Sequence, residues 1–314
     1  MDTQLADEII DCLPTERTLF RYYKGHFANL ILAIVSARYA TVDELKRSPF
    51  ERLTKRPEVK PVLAKQGNGE INQQAFQQAW QEPSHCFRLS IGRWHGSPGT
   101  RGQTSRRGVN LVLQLNFSNQ HNRTYRHLYK PQRDNVFNYY AHPVANGANG
   151  RATEETLAWA RIDLDASFSE ALIEEIQSDW VRRAGWEMKY IERCEKRGTP
   201  ARAYKSDADQ FNRLKYLREV LLPYLAIWQE VMLAATIWFL RQEFGIRRVF
   251  IHTPEGGKAV KKIRGSAPPR SIYYSLPRKF CFETTAEAPG FIAQEKSYRK
   301  LAKNKSVMWQ HLSL

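Results

Sequence analysis

The chain has no uninterrupted apolar run of the roughly 18 residues that a membrane-spanning helix needs. Its nearest approach, "VMLAATIWFL" at 231–240, follows Gln229 and Glu230, so no membrane partner is expected. The first residues, "MDTQLADEIIDCLPTE", are acidic and lack the cationic start and apolar centre of a secretory signal, so export by that route is not expected either. Cysteine is scarce: Cys12, Cys86, Cys194 and Cys281 stand far apart with no Cys-x-x-Cys pair, which points to free thiols in a reducing cytoplasm. HExxH, zinc-finger and dinucleotide-binding patterns are missing, and spacing alone assembles no Ser-His-Asp or Cys-His set. These gaps leave no metal site to expect and no cofactor named by a motif.

The most informative absence is acid. Between Arg88 and Arg133 there are nine Lys or Arg residues and no Asp or Glu, within a chain whose net charge is +16. Uncompensated charge of this kind attracts polyanions, and Lys/Arg contacts to phosphate supply most non-specific nucleic-acid affinity. Trp94, His95, Tyr125, His127 and Tyr129 are interleaved with the charges, and such rings stack on unpaired bases. Arg93, Arg101, Arg106, Arg107, Arg123, Arg126 and Lys130 are therefore the candidate contacts to RNA or DNA; the alternatives are a basic surface for an acidic protein partner or a nucleotide cofactor, or a merely soluble basic protein.

What is present divides the chain into an N-terminal helical region (1–82) and a mixed α/β domain (83–314), the latter with a basic strand region (85–135) and a sheet-helix core (153–292). In 18–40, Leu19, Tyr22, Tyr23, Phe27, Leu30, Ile31 and Ile34 recur at helical spacing, and "TVDELKRSPFERL" opens with a Thr cap and a Glu three residues on. From about residue 85 the period changes to two. "VNLVLQLNFS" (109–118) is the clearest strand, "CFRLSIGRW" (86–94) its expected partner, the Gly- and Arg-rich 95–108 a mobile basic loop, and "TYRHLYKP" a third strand. The fold class expected is α+β or α/β, a mixed sheet with packed helices.

The stretch "EALIEEIQSDWVRRAGWE" (170–187) reads in two ways. Phe168, Leu172, Ile176, Trp180 and Ala184 recur every four residues, as in one long helix. Against this, "TLAWARIDLD" before it alternates, "DASFS" has the length of a hairpin loop, and Ser178 followed by Asp179 is itself a helix start.

"LIEEIQSDW" resembles a segment of very large polyvalent proteins of phages and conjugative elements, in which an apolar strand-like run leads into Glu-Ile-Gln-Ser-Asp-Trp. A looser match runs through 222–257, and together they cover about a third of the chain. The resemblance implies a shared fold in a mobile-element or phage-conflict setting and transfers no settled reaction. It favours strands at 156–164 and 170–177, a helix from Ser178, a long helix near 217–244 and a strand at 247–253. That order, continued through "IYYSLPRKFCFE" (272–283), is similar to the acyl-CoA-binding half of the GNAT acyltransferase superfamily. There a strand feeds a helix whose N-terminal amides hold a pyrophosphate, and a Tyr precedes a final Gly-Phe. Of the Arg/Gln-x-x-Gly-x-Gly/Ala pattern, Arg182 and Gly185 are present; Cys281 stands where the Gly of Gly-Phe is expected, and 178–216 is an insertion.

On a strand, Glu175 and Gln177 share a face, and the helix-start Asp179 joins them at the strand's carboxyl end, the usual place for a site in an open α/β sheet. "IHTPEGGK" (251–258) brings His252 and Glu255 to the end of the next strand. Gly256, Gly257 and Lys258 there offer backbone amides and one cation to a phosphate, without the spacing of a P-loop. Glu175, Gln177, Asp179, His252 and Glu255 form the candidate catalytic set. Arg182, Gly185, Gly256, Gly257 and Lys258 form the candidate cofactor set. Two readings follow: an enzyme acting on nucleic acid or a nucleotide-containing ligand, with acyl transfer as one form, or a nucleic-acid-binding accessory protein without catalysis.

Overall fold

Eight strands form one mixed sheet: β1 (Thr18–Tyr23), β2 (Ser84–His95), β3 (Val109–Phe117), β4 (Thr156–Leu164), β5 (Glu170–Gln177), β6 (Arg248–His252), β7 (Glu283–Thr285) and β8 (Trp309–Ser313). The computed structural model describes residues 1–13, 18–95, 103–133, 135–139, 141–145, 154–199, 206–265 and 268–314. The strand order is β1-β2-β3-β4-β5-β6-β8-β7. Neighbouring strands run antiparallel except β5 and β6, which are parallel. A parallel pair needs a crossover. Here it is supplied by the helix Asp179–Lys196 (labelled α3 below) and the long helix Leu222–Phe244 (α4).

Alternation places Leu111, Leu113, Leu115 and Phe117 of β3 in the main core, as expected, yet every residue of the strand is buried. Its polar face is covered too, and past Asn110, whose Oδ1 has no partner among the described residues, its polar side chains are satisfied internally. Gln114 accepts from Ser90 Oγ at 2.6 Å, Asn116 donates to the same hydroxyl at 2.7 Å, and Thr156 Oγ1 donates to Asn116 at 2.7 Å. Such closure is what a buried polar row requires.

The 156–164/170–177 hairpin and the Ser178 cap form as expected, with Ser178 Oγ accepting from the Val181 amide at 3.2 Å. Thr41 and Glu44 form the reciprocal capping box. Two expectations are corrected. Residues 18–23 are strand β1, paired with β2, and the first helix of that region (α1, Phe27–Val35) starts only after a turn at Gly25. "TYRHLYKP" lies not in a strand but largely in the helix Asn119–Leu128 (α2), which Ser118 caps through the His121 amide. A short helix, Pro254–Val260 (α5), follows β6. Arg101 and the two Asn-Gly pairs of 146–150, whose sequence predicts turns, lie outside the described residues.

Helix α4 is apolar nearly all round and lies against β3, β4 and β5. The stretch 208–244 has the length and composition to cross a membrane, but most of its apolar window is enclosed by the fold. It ends at Gly245, whose φ of 66° is the left-handed conformation that stops a helix without a Cβ penalty. Within the helix, Glu230 is buried. It accepts from Tyr22 Oη at 2.5 Å and from the Gly25 amide at 2.7 Å and pairs with Lys279, tying the end of β1 to the core helix. Replacing Glu230 by Ala leaves the tyrosine hydroxyl and the amide without an acceptor. A loss of about 2 kcal/mol is expected, read as a lower urea midpoint with unchanged slope; an unchanged midpoint contradicts this role.

Candidate functional site

Two consecutive glutamates on a strand point to opposite faces when alternation is strict. On β5 it is not strict. Ile162 of β4 faces Ile173 and Arg161 faces Glu175, which leaves Glu174 with no opposite residue. A bulge of this kind re-aims side chains. Ile173 and Ile176 both face the main core, so the two carboxylates between them turn to the other side of the sheet, Glu174 against Ser105 of the segment before β3 and Glu175 against Arg161 of β4.

Glu174 is fully buried among donors. The Ser105 amide reaches it at 2.8 Å, Ser105 Oγ at 2.9 Å, His252 Nε2 at 3.1 Å and Lys261 Nζ at 3.0 Å. Burial alone would push its carboxyl up. The Lys261 ammonium, His252 and the Ser105 amide together outweigh burial and hold the group well below the usual carboxylate range. Burial and the same ammonium push His252 down to about 4, so its ring is neutral at pH 7. A neutral ring that donates from Nε2 leaves Nδ1 as an acceptor, and Nδ1 has no hydrogen-bond partner among the described residues. Ser105, His252 and Glu174 do not form a nucleophilic triad. Serine and carboxylate meet the same ring nitrogen, at 3.0 and 3.1 Å, whereas a triad places them on opposite nitrogens.

The sheet opens at this point. β5 and β6 pair only from Glu170/Arg248 to Ile173/Ile251, so residues 174–177 of β5 have no partner on β6. Two side chains from beyond β6 cover the free edge: Lys261 bonds the Glu174 carbonyl, and the Ile176 amide donates to Tyr273 Oη at 3.4 Å. Beside this edge lies a cleft of about 370 Å³ lined by Glu175, Gln177, Arg182, Trp228, Lys261 and Tyr273. Glu175 pairs with Arg161 at 2.5 Å, and that guanidinium lies 5.0 Å from the Trp94 ring and donates to the Gln103 carbonyl at 3.2 Å. Burial and the nearby Glu175 push the Tyr273 phenol well above its usual range, so it stays protonated. Its own proton has no acceptor among the described residues.

The expected catalytic set is therefore only partly assembled. Glu175 and Gln177 line the cleft. Asp179 bonds Gln177 at 3.2 Å but turns its other oxygen to His142 at 2.7 Å and to the Tyr139 amide at 3.0 Å. His252 is sealed against Glu174 instead of Glu175, and Glu255 is 67% exposed and pairs with Arg270 at 3.5 Å. In the expected cofactor set, Arg182 lies at the cleft, while Gly185 sits inside α3 with open space where a Cβ would be. A Cβ on Gly256 would stand 2.5 Å from the Met308 carbonyl and one on Gly257 3.1 Å from His252 Cβ. The close approach those glycines allow is thus to the protein's own chain, with Lys258 following in α5. Cys281, in the place the resemblance reserves for glycine, has a φ of 67°.

The basic set also divides. Arg106 is held to Asp163 at 2.7 and 2.9 Å and lies 4.4 Å from the Phe291 ring, Arg93 pairs with Asp7, and Arg88 pairs with Glu154. Arg107, Arg123, Arg126 and Lys130 are exposed. Among the described residues no three His, Cys, Asp or Glu side chains converge as a metal ion requires.

Sequence reasoning missed Lys261, Tyr273 and Ser105, which no spacing connects to β5. It also gave Glu174 less weight than Glu175, because the bulge that re-aims it leaves no trace in the residue pattern. Comparison of the chain with protein-family models, curated proteins and solved structures returned no match.

His26, His121 and His252 are each pushed down by burial, to about 4, about 3 and about 4. In the unfolded chain such rings protonate near 6.5, so between pH 6.5 and about 4 the unfolded state binds more protons and stability falls as pH falls. Glu174, held low, adds a further loss below about 4.5, the value of an unperturbed glutamate. Urea midpoints should decline steadily from pH 7 to 4.5, and less steeply in a His252→Asn variant. A midpoint that does not move over this range contradicts the burial of these rings.

Proposed function

We propose that the cleft binds an amide-bearing, nucleotide-linked acyl donor of the acyl-CoA kind, and that the chain is an acyltransferase. The observation that carries this reading is the free edge of β5 beside a cleft of about 370 Å³, where the one parallel pair among the described strands parts. A strand edge without a neighbour hydrogen-bonds an extended amide chain as it would another strand. The Glu174 carbonyl and the Ile176 amide are the two groups on offer, and Lys261 and Tyr273 now hold those positions with side chains that a ligand can replace. Lys261 keeps its 3.0 Å pairing with the Glu174 carboxylate when it leaves the carbonyl. Arg182, exposed at the cleft, supplies charge for the donor's phosphates, in place of the glycine-type loop that α3 lacks. The strand–helix–strand order that the GNAT resemblance implies through residue 252 supports the same reading, although 271–279 is helical, and four free thiols support a reducing, cytoplasmic setting.

The chemistry follows from the lining. An amine acceptor attacks the thioester carbonyl, so that a C–N bond forms and the C–S bond breaks. Glu175, the carboxylate that lines the cleft beside Arg161, takes the proton that the new ammonium sheds. Tyr273, a phenol that stays protonated and has an unused proton, donates a hydrogen bond to the departing sulfur, and the thiolate takes its proton from solvent. No oxidant, reductant or metal is needed.

Titration calorimetry with acetyl-CoA and with free coenzyme A should show saturable binding. Tyr273→Phe should keep that affinity within a few-fold while lowering thiol release with an amine panel by roughly 100-fold or more. Absence of binding by either ligand at millimolar concentration overturns the proposal, as does a Tyr273→Phe variant that turns over at the original rate.

A further inference from the structure

Helix α3 leaves the cleft with one face of unusual composition. Arg182, Trp186, Lys189, Arg193 and Lys196 recur at intervals of three and four, so they form one stripe. All five are exposed, and Trp186 is 56% exposed although it is among the largest apolar side chains in the protein. At 1.5 Å of rise per residue the stripe is about 21 Å long. Its four cations make no ion pair with the described residues. The helix's acids are engaged elsewhere or lie beside the stripe. Glu187 accepts from Tyr129 Oη at 2.7 Å, Glu195 is 3.6 Å from Arg218, and Glu192 borders the stripe next to Lys189 and Arg193.

Trp186 is a ridge between two hollows. One, of about 310 Å³, is walled by Tyr129, Phe137, Tyr139 and Arg183, the last lying 4.0 Å from the Tyr139 ring. The other, of about 410 Å³, is lined by Lys189, Glu192, Arg193 and Lys196. An indole that stands free, with an aromatic-lined recess on one side and cations on the other, can take an unstacked base on its face and the flanking phosphates on its neighbours. We infer that this stripe is a docking track for single-stranded nucleic acid, which enters beside the cleft at Arg182 and runs towards Lys196.

The charge supplies affinity for any polyanion, but the exposed indole selects among them. A duplex keeps its base faces stacked, so Trp186 has nothing to stack on. A membrane surface needs a broad apolar face, and one side chain is too little. The track shares only Arg182 with the acyl-donor cleft, since neither Trp186 nor the other three cations line that cleft. Within 88–133, Arg88, Arg93 and Arg106 are engaged by Glu154, Asp7 and Asp163, and the exposed Arg107, Arg123, Arg126 and Lys130 are the competing basic surface.

The test is fluorescence anisotropy with a labelled uridine oligomer, without any acyl donor, alongside a hairpin duplex of the same length. The oligomer should bind more tightly than the duplex. Trp186→Ala should weaken it by about tenfold, and Lys189→Gln with Arg193→Gln should flatten the slope of log affinity against log salt by about 1.4. Arg123→Gln with Arg126→Gln on α2 should change neither. Circular dichroism melts confirm that each variant is folded; all of these positions are exposed. The inference falls if the oligomer does not bind at low salt, if the α2 pair carries the affinity, if the duplex binds equally well without need of Trp186, or if anionic vesicles bind in place of the oligomer.

Discussion

One buried carboxylate governs the centre of this molecule. Glu174 sits where a strand slips by one residue, and a carboxyl so deeply enclosed stays ionised only because Ser105, His252 and Lys261 all donate to it. Those three come from the segment before β3, from the end of β6 and from the residues after α5. A single charge therefore clamps three distant parts of the chain to one point on the sheet. Removing it would strand an ammonium and leave a hydroxyl and an amide without acceptors, which is why the bulge persists despite the broken ladder.

The opening of the sheet follows from the same point. Past Ile173 the side chain of His252 turns to Glu174, and β6 goes on with β8 alone, where His252 faces Trp309. The edge of β5 is thereby freed at the mouth of the crossover, and α3 starts immediately beyond it with Ser178 as cap. Glu175 reaches the cleft because the bulge turns it to the same side as Glu174. Structure and candidate chemistry thus have one origin: the slip that buries one glutamate delivers its neighbour to an accessible wall. Helix α3 then carries the cations and the indole outward from that wall, so the cleft and the proposed docking track share Arg182 as their junction.

Much of this fold was legible in the residues. The 156–164/170–177 hairpin, the Ser178 cap, strand 109–117 and the Thr41 capping box follow from alternation and capping chemistry and stand as read. Strand β1 was not, because Tyr22, Phe27, Leu30 and Ile31 keep helical spacing across the Gly25 turn and hide the alternation of buried Phe20 and Tyr22 with exposed Leu19 and Arg21. Helix α2 was misread because Tyr125, His127 and Tyr129 also alternate, although Ser118 ahead of it was an available cap. At the site, Glu175, Gln177 and Arg182 were legible from strand parity and motif position. His252 was found for its place at a strand end, yet its partner was not, since a bulge reverses parity without changing composition. Lys261, Tyr273 and Ser105 reach β5 only through tertiary folding.

The central claim is that a neutral His252 donates to an ionised, buried Glu174. Nitrogen-15 NMR of the labelled histidines tests it most directly. A His252 ring that stays neutral and protonated on Nε2 at pH 5.5, and titrates only towards about 4, is the result this account predicts. A ring that titrates near 6.5, the value of an exposed histidine, or that carries its proton on Nδ1, would contradict it.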